Sequence, residues 1–292
     1  MKGALFMNTD TLETFILLSE LKNYTQTANQ LFIAQSTVTN RIQELEAEIG
    51  KTLFIRSKKQ LKLTREGEYF LNYARRITDL KSNAMEELKN MSYYETAIRI
   101  GSTNTIYDCH LANKLVPYSV EHPNTKLNIV ISHTNNLIQM LHDNTIDVAF
   151  TYISYSKNKI KSALYTTDNL LLVTSSNNQL YRNGISQKEL SDIPYLYCDF
   201  PFQELGSYIK DLFPAGHVFP LEIDRSANLL PFLLSGKGYS FLPESLVQES
   251  LRNGLLIHIP LLDFTIPCIH SYVLTSETKS NPAILEFMKE IM

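Results

Sequence analysis

From Thr11 to Ile49 the apolar residues of this chain recur at helical steps in three short segments, after which the period changes to that of paired strands. Leu12, Phe15 and Ile16 mark the first segment, Ala28 and Leu31 the second, and Val38, Ile42, Leu45 and Ile49 the third. Gly50 stops the third helix, Leu53, Phe54 and Ile55 read as a strand, and Leu61 and Leu63 alternate with Lys62 as its return. Three helices followed by a two-stranded ribbon predict a winged helix-turn-helix. Lys51, Arg56, Lys58, Lys59, Lys62 and Arg65 place six positive charges in the ribbon region with no acid between residues 51 and 65. Alone, such a run is a solvated loop; beside a helix-turn-helix it reads as a phosphate-facing wing. The net charge of -3 hides this asymmetry, because residues 1–91 carry +2 and the remainder -5.

Thr64, followed by Glu66 and Glu68, can cap a new helix, and nothing breaks the segment until about Ser92. Phe70, Tyr73, Ile77, Leu80, Ala84, Leu88 and Met91 recur at steps of three or four and form a narrow seam on an otherwise polar helix. A helix of about 28 residues spans ~42 Å, longer than a small domain, so the seam points to a partner helix rather than to this chain's own core.

A length of 292 residues suggests two domains. Hydrophobic residues at 44% and charged residues at 20% fit a globular chain rather than a disordered one. After residue 96 strands and helices alternate: strands at 97–101, 127–131 and 148–152, with helices near 111–120 and 137–141. A second set follows, with strands near 170–174, 195–197, 239–242 and 256–259 and helices near 205–212, 228–234 and 245–251. This is the grammar of βαβ units, and two α/β lobes fit the length. A strand at 269–274 and a helix at 282–291 can return to the first lobe. The expected domains are 1–63, a winged helix-turn-helix; 64–93, a dimerising linker helix; and 94–292, with lobe I at about 97–165 and 266–292 and lobe II at about 166–265.

In a helix-turn-helix the second helix enters the major groove with its N-terminal residues at the base edges. Gln35, Ser36, Thr37, Thr39 and Asn40 are short or can both donate and accept, and Arg41 can reach phosphates. Gln35 is the expected sequence reader, its amide suiting adenine; the competing role is to cap the helix. Enzyme readings are weaker. Cys109 and His110 are adjacent, and neighbours on a helix point different ways rather than forming a nucleophile–base pair. The histidines show no metal-ligand spacing, and Gly236-x-Gly238 lacks the third glycine of a dinucleotide site, so a structural turn is expected there. Cys109, Cys198 and Cys268 are widely spaced, favouring a reducing compartment over a disulfide framework. No signal-peptide core or run of 18 apolar residues appears, so a cytoplasmic protein without membrane contact, cofactor or metal is expected.

The residues Ala28, Leu31, Gln35, Ser36, Thr37, Val38, Thr39, Ile42, Leu45, Glu46, Gly50, Leu53, Phe54 and Arg56, then Leu63, Thr64 and Gly67, resemble the signature of the LysR-type transcriptional regulators. The resemblance implies that Gln35, Ser36, Thr37 and Thr39 face DNA, that Arg56, Lys58 and Lys59 sit on the wing, and that Thr64 opens the linker helix. It also offers Met7 as an alternative initiator. Two departures stand out: Ala34 replaces the usual Ser or Thr before the recognition helix, losing an N-cap worth ~1 kcal/mol, and Asn40 stands where a basic residue is common. A weaker resemblance continues through Ile100-Gly101, Ile146-Asp147-Val148-Ala149, Gly236-Lys237-Gly238 and Leu242-Pro243-Glu244. It implies an effector domain like a periplasmic solute-binding protein, two α/β lobes around a cleft. Ser102, Thr103 and Thr105 lie between a strand and a helix start, where hydroxyls and free N–H groups can hold an anion. Family position adds Thr134 and Phe202. The expected protein binds double-stranded DNA at a partly palindromic operator, a small anionic effector and further copies of itself as dimer or tetramer, with the transcription machinery a further partner. It catalyses nothing. The rival reading is a cytoplasmic solute-binding or transferase-like α/β protein with an assembly domain.

Overall fold

Burial of the three helical stripes builds the first of two units. The computed structural model describes residues 8–57, 60–90, 93–94, 96–198, 203–277 and 282–292, and the chain divides into Met1–Tyr93 and Tyr94–Met292. The first unit runs α1 (Thr9–Leu21), α2 (Tyr24–Leu31), α3 (Gln35–Ile49), β1 (Phe54–Ser57), β2 (Gln60–Leu63) and α4 (Arg65–Asn90). Asn8 and Asn23 cap the first two helices, their side-chain oxygens accepting from Thr11 N at 2.8 Å and from Thr25 N at 2.9 Å. Helix α3 starts at Ala34 with no side-chain cap, so Gln35 does not take over that role.

Leu12, Phe15, Leu18, Val38, Ile42, Leu45 and Leu53 form the buried centre. The Phe15 ring lies 5.4 Å from Phe54 and 5.5 Å from Phe70, joining α1 to the wing and to α4. Glu46, on α3, turns its Oε1 to the wing and accepts from Leu53 N at 2.6 Å and Phe54 N at 3.1 Å. Strands β1 and β2 pair antiparallel, Phe54 opposite Leu63 and Arg56 opposite Leu61. Thr64 then caps α4, its Oγ1 accepting from Gly67 N at 2.9 Å and donating to Thr52 O at 2.8 Å.

The 26 residues of α4 span about 39 Å. Phe70, Leu71 and Ala74 pack into the core, and Arg75 and Lys81 reach α1 through Glu20 at 3.0 Å and Thr9 Oγ1 at 2.6 Å. Beyond them the predicted seam is bare: Ile77, Leu80, Ala84 and Leu88 are exposed, and Met91 lies outside the described residues.

The second unit contains β3 (Thr96–Ser102), α5 (Asn104–Ile106), a π-helical turn (Tyr107–Leu111), α6 (Ala112–Glu121), β4 (Thr125–Ile131), α7 (Thr134–His142), β5 (Val148–Thr151) and β6 (Ile160–Asp168). There follow β7 (Leu170–Ser175), β8 (Leu196–Cys198), α8 (Gln203–Asp211), β9 (Leu221–Ile223), α9 (Leu230–Leu234), β10 (Tyr239–Pro243), α10 (Glu244–Arg252), β11 (Leu256–His258), β12 (Ile269–Ser276) and α11 (Pro282–Ile291). A five-stranded sheet has the order β4-β3-β5-β12-β6, with β3 parallel to β4 and β5 and with β12 antiparallel to β5 and β6. Strand β12 joins this sheet between β5 and β6, and Phe287 of α11 packs edge-on against Tyr118 of α6 at 5.1 Å.

The second sheet departs from βαβ grammar: its order is β10-β7-β11, and both neighbours run antiparallel to β7. Strand β6, absent from the sequence reading, is an edge strand burying only Ile160 among mostly polar residues, so it shows no apolar period. The three residues of β9 are too few to show one. Arg99 locks β3 to the start of β5, its Nη2 and Nε meeting the Asp147 carboxylate at 2.6 and 3.0 Å, both side chains largely buried. Gly238 has φ +90, and a Cβ there would lie 2.5 Å from Pro194 O, which makes Gly236-Lys237-Gly238 the structural turn predicted.

A Cβ at Gly67 would lie 2.3 Å from the Leu53 carbonyl oxygen. Helix propensity alone favours Gly67→Ala by ~1 kcal/mol, but overpacking against backbone outweighs it, and a net loss of about 1–3 kcal/mol is expected. Hydrogen exchange in α1–α3 under mild denaturant measures this; a more stable variant would contradict the packing described.

Candidate functional site

The face of α3 turned away from the core carries the residues expected to meet DNA. Val38, Ile42 and Leu45 are buried, whereas Gln35, Ser36 and Asn40 are exposed and Thr37 and Thr39 half-buried. Residues 35, 36, 39 and 40 share one helical face. The Gln35 Oε1 accepts a long bond from Thr25 Oγ1 at 3.4 Å, and Thr39 Oγ1 donates to Gln35 O at 3.1 Å, so both side chains are held at the start of the helix.

Arg41 makes contacts within the first unit. Its guanidinium turns back to α1, donating to Thr14 Oγ1 at 3.0 Å and pairing with the exposed Asp10 Oδ2 at 3.3 Å. Arg56 lies in β1, and Lys58 and Lys59 lie outside the described residues.

In the second unit, parallel strands β3 and β4 end at Ser102 and Ile131, each just before a helix start. Thr103 is 4% exposed and Thr134 6% exposed. Both hydroxyls are buried and have no hydrogen-bond partner among the described residues. The other two hydroxyls of the expected group are already engaged: Ser102 Oγ donates to Thr103 O at 2.9 Å, and Thr105 Oγ1 shares a 3.2 Å bond with Ser226 Oγ and another with Tyr152. Thr105 is thus bonded to Ser226, whereas the Thr103 and Thr134 hydroxyls stay unbonded among the described residues. Phe202 lies outside the described residues.

Sequence reasoning missed a second polar group. The π-helical turn inserts one residue into the helix, and Cys109 and His110, expected to point apart, both reach the Asp168–Ser245 pair. His110 Nε2 lies 3.4 Å from Asp168 Oδ2, and Ser245 donates to the same carboxylate through Oγ and through its backbone N. The carboxylate stands between imidazole and hydroxyl, so no nucleophile–base pair forms. Burial pushes the Cys109 thiol up to about 11, which keeps it protonated at neutral pH. Only the Cys109-His110 pair hinted at this cluster; Asp168 and Ser245 come from distant segments.

Nearby, Tyr152, Leu205, Tyr208, Cys268, His270 and Tyr272 line a cavity of about 330 Å³. The Thr105–Tyr152 bond joins it to the hydroxyl cluster, although Thr103 and Thr134 do not line it. Among the described residues, Glu121, His122 and Glu290 form a group with metal-ligand chemistry, donor atoms within 4.8 Å. Within it His122 Nε2 lies 3.1 Å from Glu290 Oε2. Among the described residues no helix is long and apolar enough to cross a membrane.

Burial alone would raise the Asp168 pKa, but hydrogen bonds from His110 and Ser245 outweigh it and hold the carboxyl below its ordinary value of 3.8. A depressed folded-state pKa stabilises the fold above the unfolded value, and this contribution is lost as pH falls through the folded one. Asp168→Asn should therefore unfold at lower denaturant than the parent at pH 7, and the gap should close as pH drops below 3.8. A gap independent of pH would mean that the charge contributes nothing.

Residues 9–68 match the family described as bacterial regulatory helix-turn-helix protein, lysR family, and residues 94–292 match the LysR substrate binding domain. The HTH-type transcriptional regulator CitR of Bacillus subtilis is 26% identical over 284 residues, covering 95% of this chain and 97% of that one. The HTH-type transcriptional regulator BenM of Acinetobacter baylyi is 27% identical over 259 residues, covering 86% and 84%. Among solved structures, CbnR, a LysR family transcriptional regulator, aligns over 98% of both chains with a TM-score of 0.74 at 18% identity, a likeness of fold. The full-length CbnR complexed with its target DNA gives 0.73 at 19% identity. A DNA-binding helix-turn-helix and an effector-binding domain thus occur in one chain, and the protein belongs to the LysR family of transcriptional regulators, which are not enzymes.

Proposed function

We propose that this regulator works in the cytoplasm as a dimer or higher oligomer, reading a partly palindromic duplex with α3 and responding to a small anion held in its second unit. Gln35, Ser36, Thr37, Thr39 and Asn40 meet base edges, while Arg56, Lys58 and Lys59 of the wing hold phosphates. Arg41 is assigned instead to fixing α3 on α1, since its guanidinium is already bonded there. The bare seam of Ile77, Leu80, Ala84 and Leu88 on α4 supports the self-association. The functional division is 1–63 for DNA, 64–93 for dimerisation and 94–292 for the effector, in lobes of about 97–165 with 266–292 and about 166–265; the change of sheet between Asp168 and Leu170 supports a lobe border there.

One observation carries the effector reading: two hydroxyls, Thr103 and Thr134, lie buried without partners among the described residues, at helix starts after neighbouring parallel strands. Such hydroxyls cost stability unless something completes them. The first N–H groups of α7, next to Thr134, favour negative charge. Strand ends around a topological switch are where α/β sheets take ligands.

A thermal-shift screen of small carboxylates, sulfur metabolites and amino acids finds the effector, because a bound ligand raises apparent stability by mass action. Thr134→Val should then bind that compound about 0.5–3 kcal/mol more weakly, melt no lower than the parent without it, and bind DNA normally. A Thr134→Val protein with parental effector affinity would contradict the site.

A further inference from the structure

Phe32 is the side chain for which folding gives no reason. It closes α2 at φ +55, the left-handed region that a bulky L-residue enters with strain. It is also 95% exposed, the highest value among the large hydrophobic residues described. Asn or Gly would end the helix without either cost.

Its surroundings suit one kind of partner. Phe32 stands two residues before Ala34, the start of α3, and close in sequence to the exposed Gln35 and Ser36. From residue 21 to 43 the chain has no Asp or Glu, and the exposed side chains of α2 include the uncharged Gln26, Asn29 and Gln30. A segment without acidic side chains admits a polyanion. In helix-turn-helix docking the first helix crosses the sugar–phosphate backbone while the second enters the major groove. A ring at the corner between them reaches the groove rim, where the apolar groups are deoxyribose C–H and the thymine methyl.

We propose that Phe32 is a DNA-contacting residue whose ring packs on these C–H groups and helps set how α3 docks. The inference rests on the DNA-binding reading of the first unit. For the test, the full-length wild-type chain selects a site from a randomised duplex pool, and Phe32→Asn and Phe32→Tyr are titrated against it. Phe32→Asn should bind about 5- to 50-fold more weakly, the effect of losing part of one buried aromatic ring. Its salt slope should be unchanged, since no charge is lost, and its melting temperature equal or higher, since Asn tolerates positive φ. Phe32→Tyr, which keeps the ring, should retain most of the affinity. If the loss vanishes on a duplex with uracil in place of thymine, the ring meets a thymine methyl; if it persists, the contact is deoxyribose. Parental affinity in Phe32→Asn overturns the proposal and leaves DNA binding intact. So does a loss accompanied by lower melting or by a smaller assembly in light scattering, which would assign Phe32 to folding or self-association. A wild-type chain that selects no duplex overturns the underlying reading as well.

Discussion

The grip of the Glu46 carboxylate on the first backbone N–H groups of the wing is the interaction on which the DNA-facing unit depends. A short two-stranded ribbon has little stability of its own. It keeps a fixed position here because Leu53 N and Phe54 N, which would otherwise lose water as Leu53 enters the core, donate to a side chain anchored on α3. Hydrogen bonds to a charged group contribute ~1.5–3 kcal/mol each. With the wing held from behind, the outer face of α3 needs no structural contact of its own. The chain fills it with Gln, Ser, Thr and Asn, residues that a core would reject and base edges can use.

The second unit solves a different problem, presenting polar groups in a dry place. The buried Arg99–Asp147 pair fixes β3 to the start of β5, and β3 pairs in parallel with β4 up to Ser102 and Ile131, each just before a helix start. Losing one partner of such a pair leaves an uncompensated buried charge. The hydroxyls of Thr103 and Thr134 are set at these starts, while Ser102 and Thr105 are tied off locally. Local bonding thus leaves two hydroxyls of this group without a partner among the described residues.

What could be read from the chain followed from how local the cause was. The helices of the first unit announce themselves through stripes ending in the buried Leu12, Phe15, Val38, Ile42 and Leu45, and the α4 seam through its spacing. Strand β6 was silent because one face is solvent, and the antiparallel second sheet because pairing direction is a long-range property. Arg41 looked free because its partners, Asp10 and Thr14, lie about thirty positions away. The His110–Asp168–Ser245 group was hidden because a π-helical turn overrides the usual rule for adjacent helical residues. Both features depend on where a side chain points, which spacing alone does not fix.

The central claim is that α3 reads sequence through side chains not needed for the fold. Binding of Gln35→Ala to a duplex selected by the parent chain, repeated over single-base substitutions and paired with thermal melting, tests it most directly. The predicted result is a loss of ~1–3 kcal/mol on the selected site, relaxed choice at one position per half-site, and an unchanged salt slope and melting temperature. Equal losses on every sequence together with a lower melting temperature would contradict it and make Gln35 a structural residue.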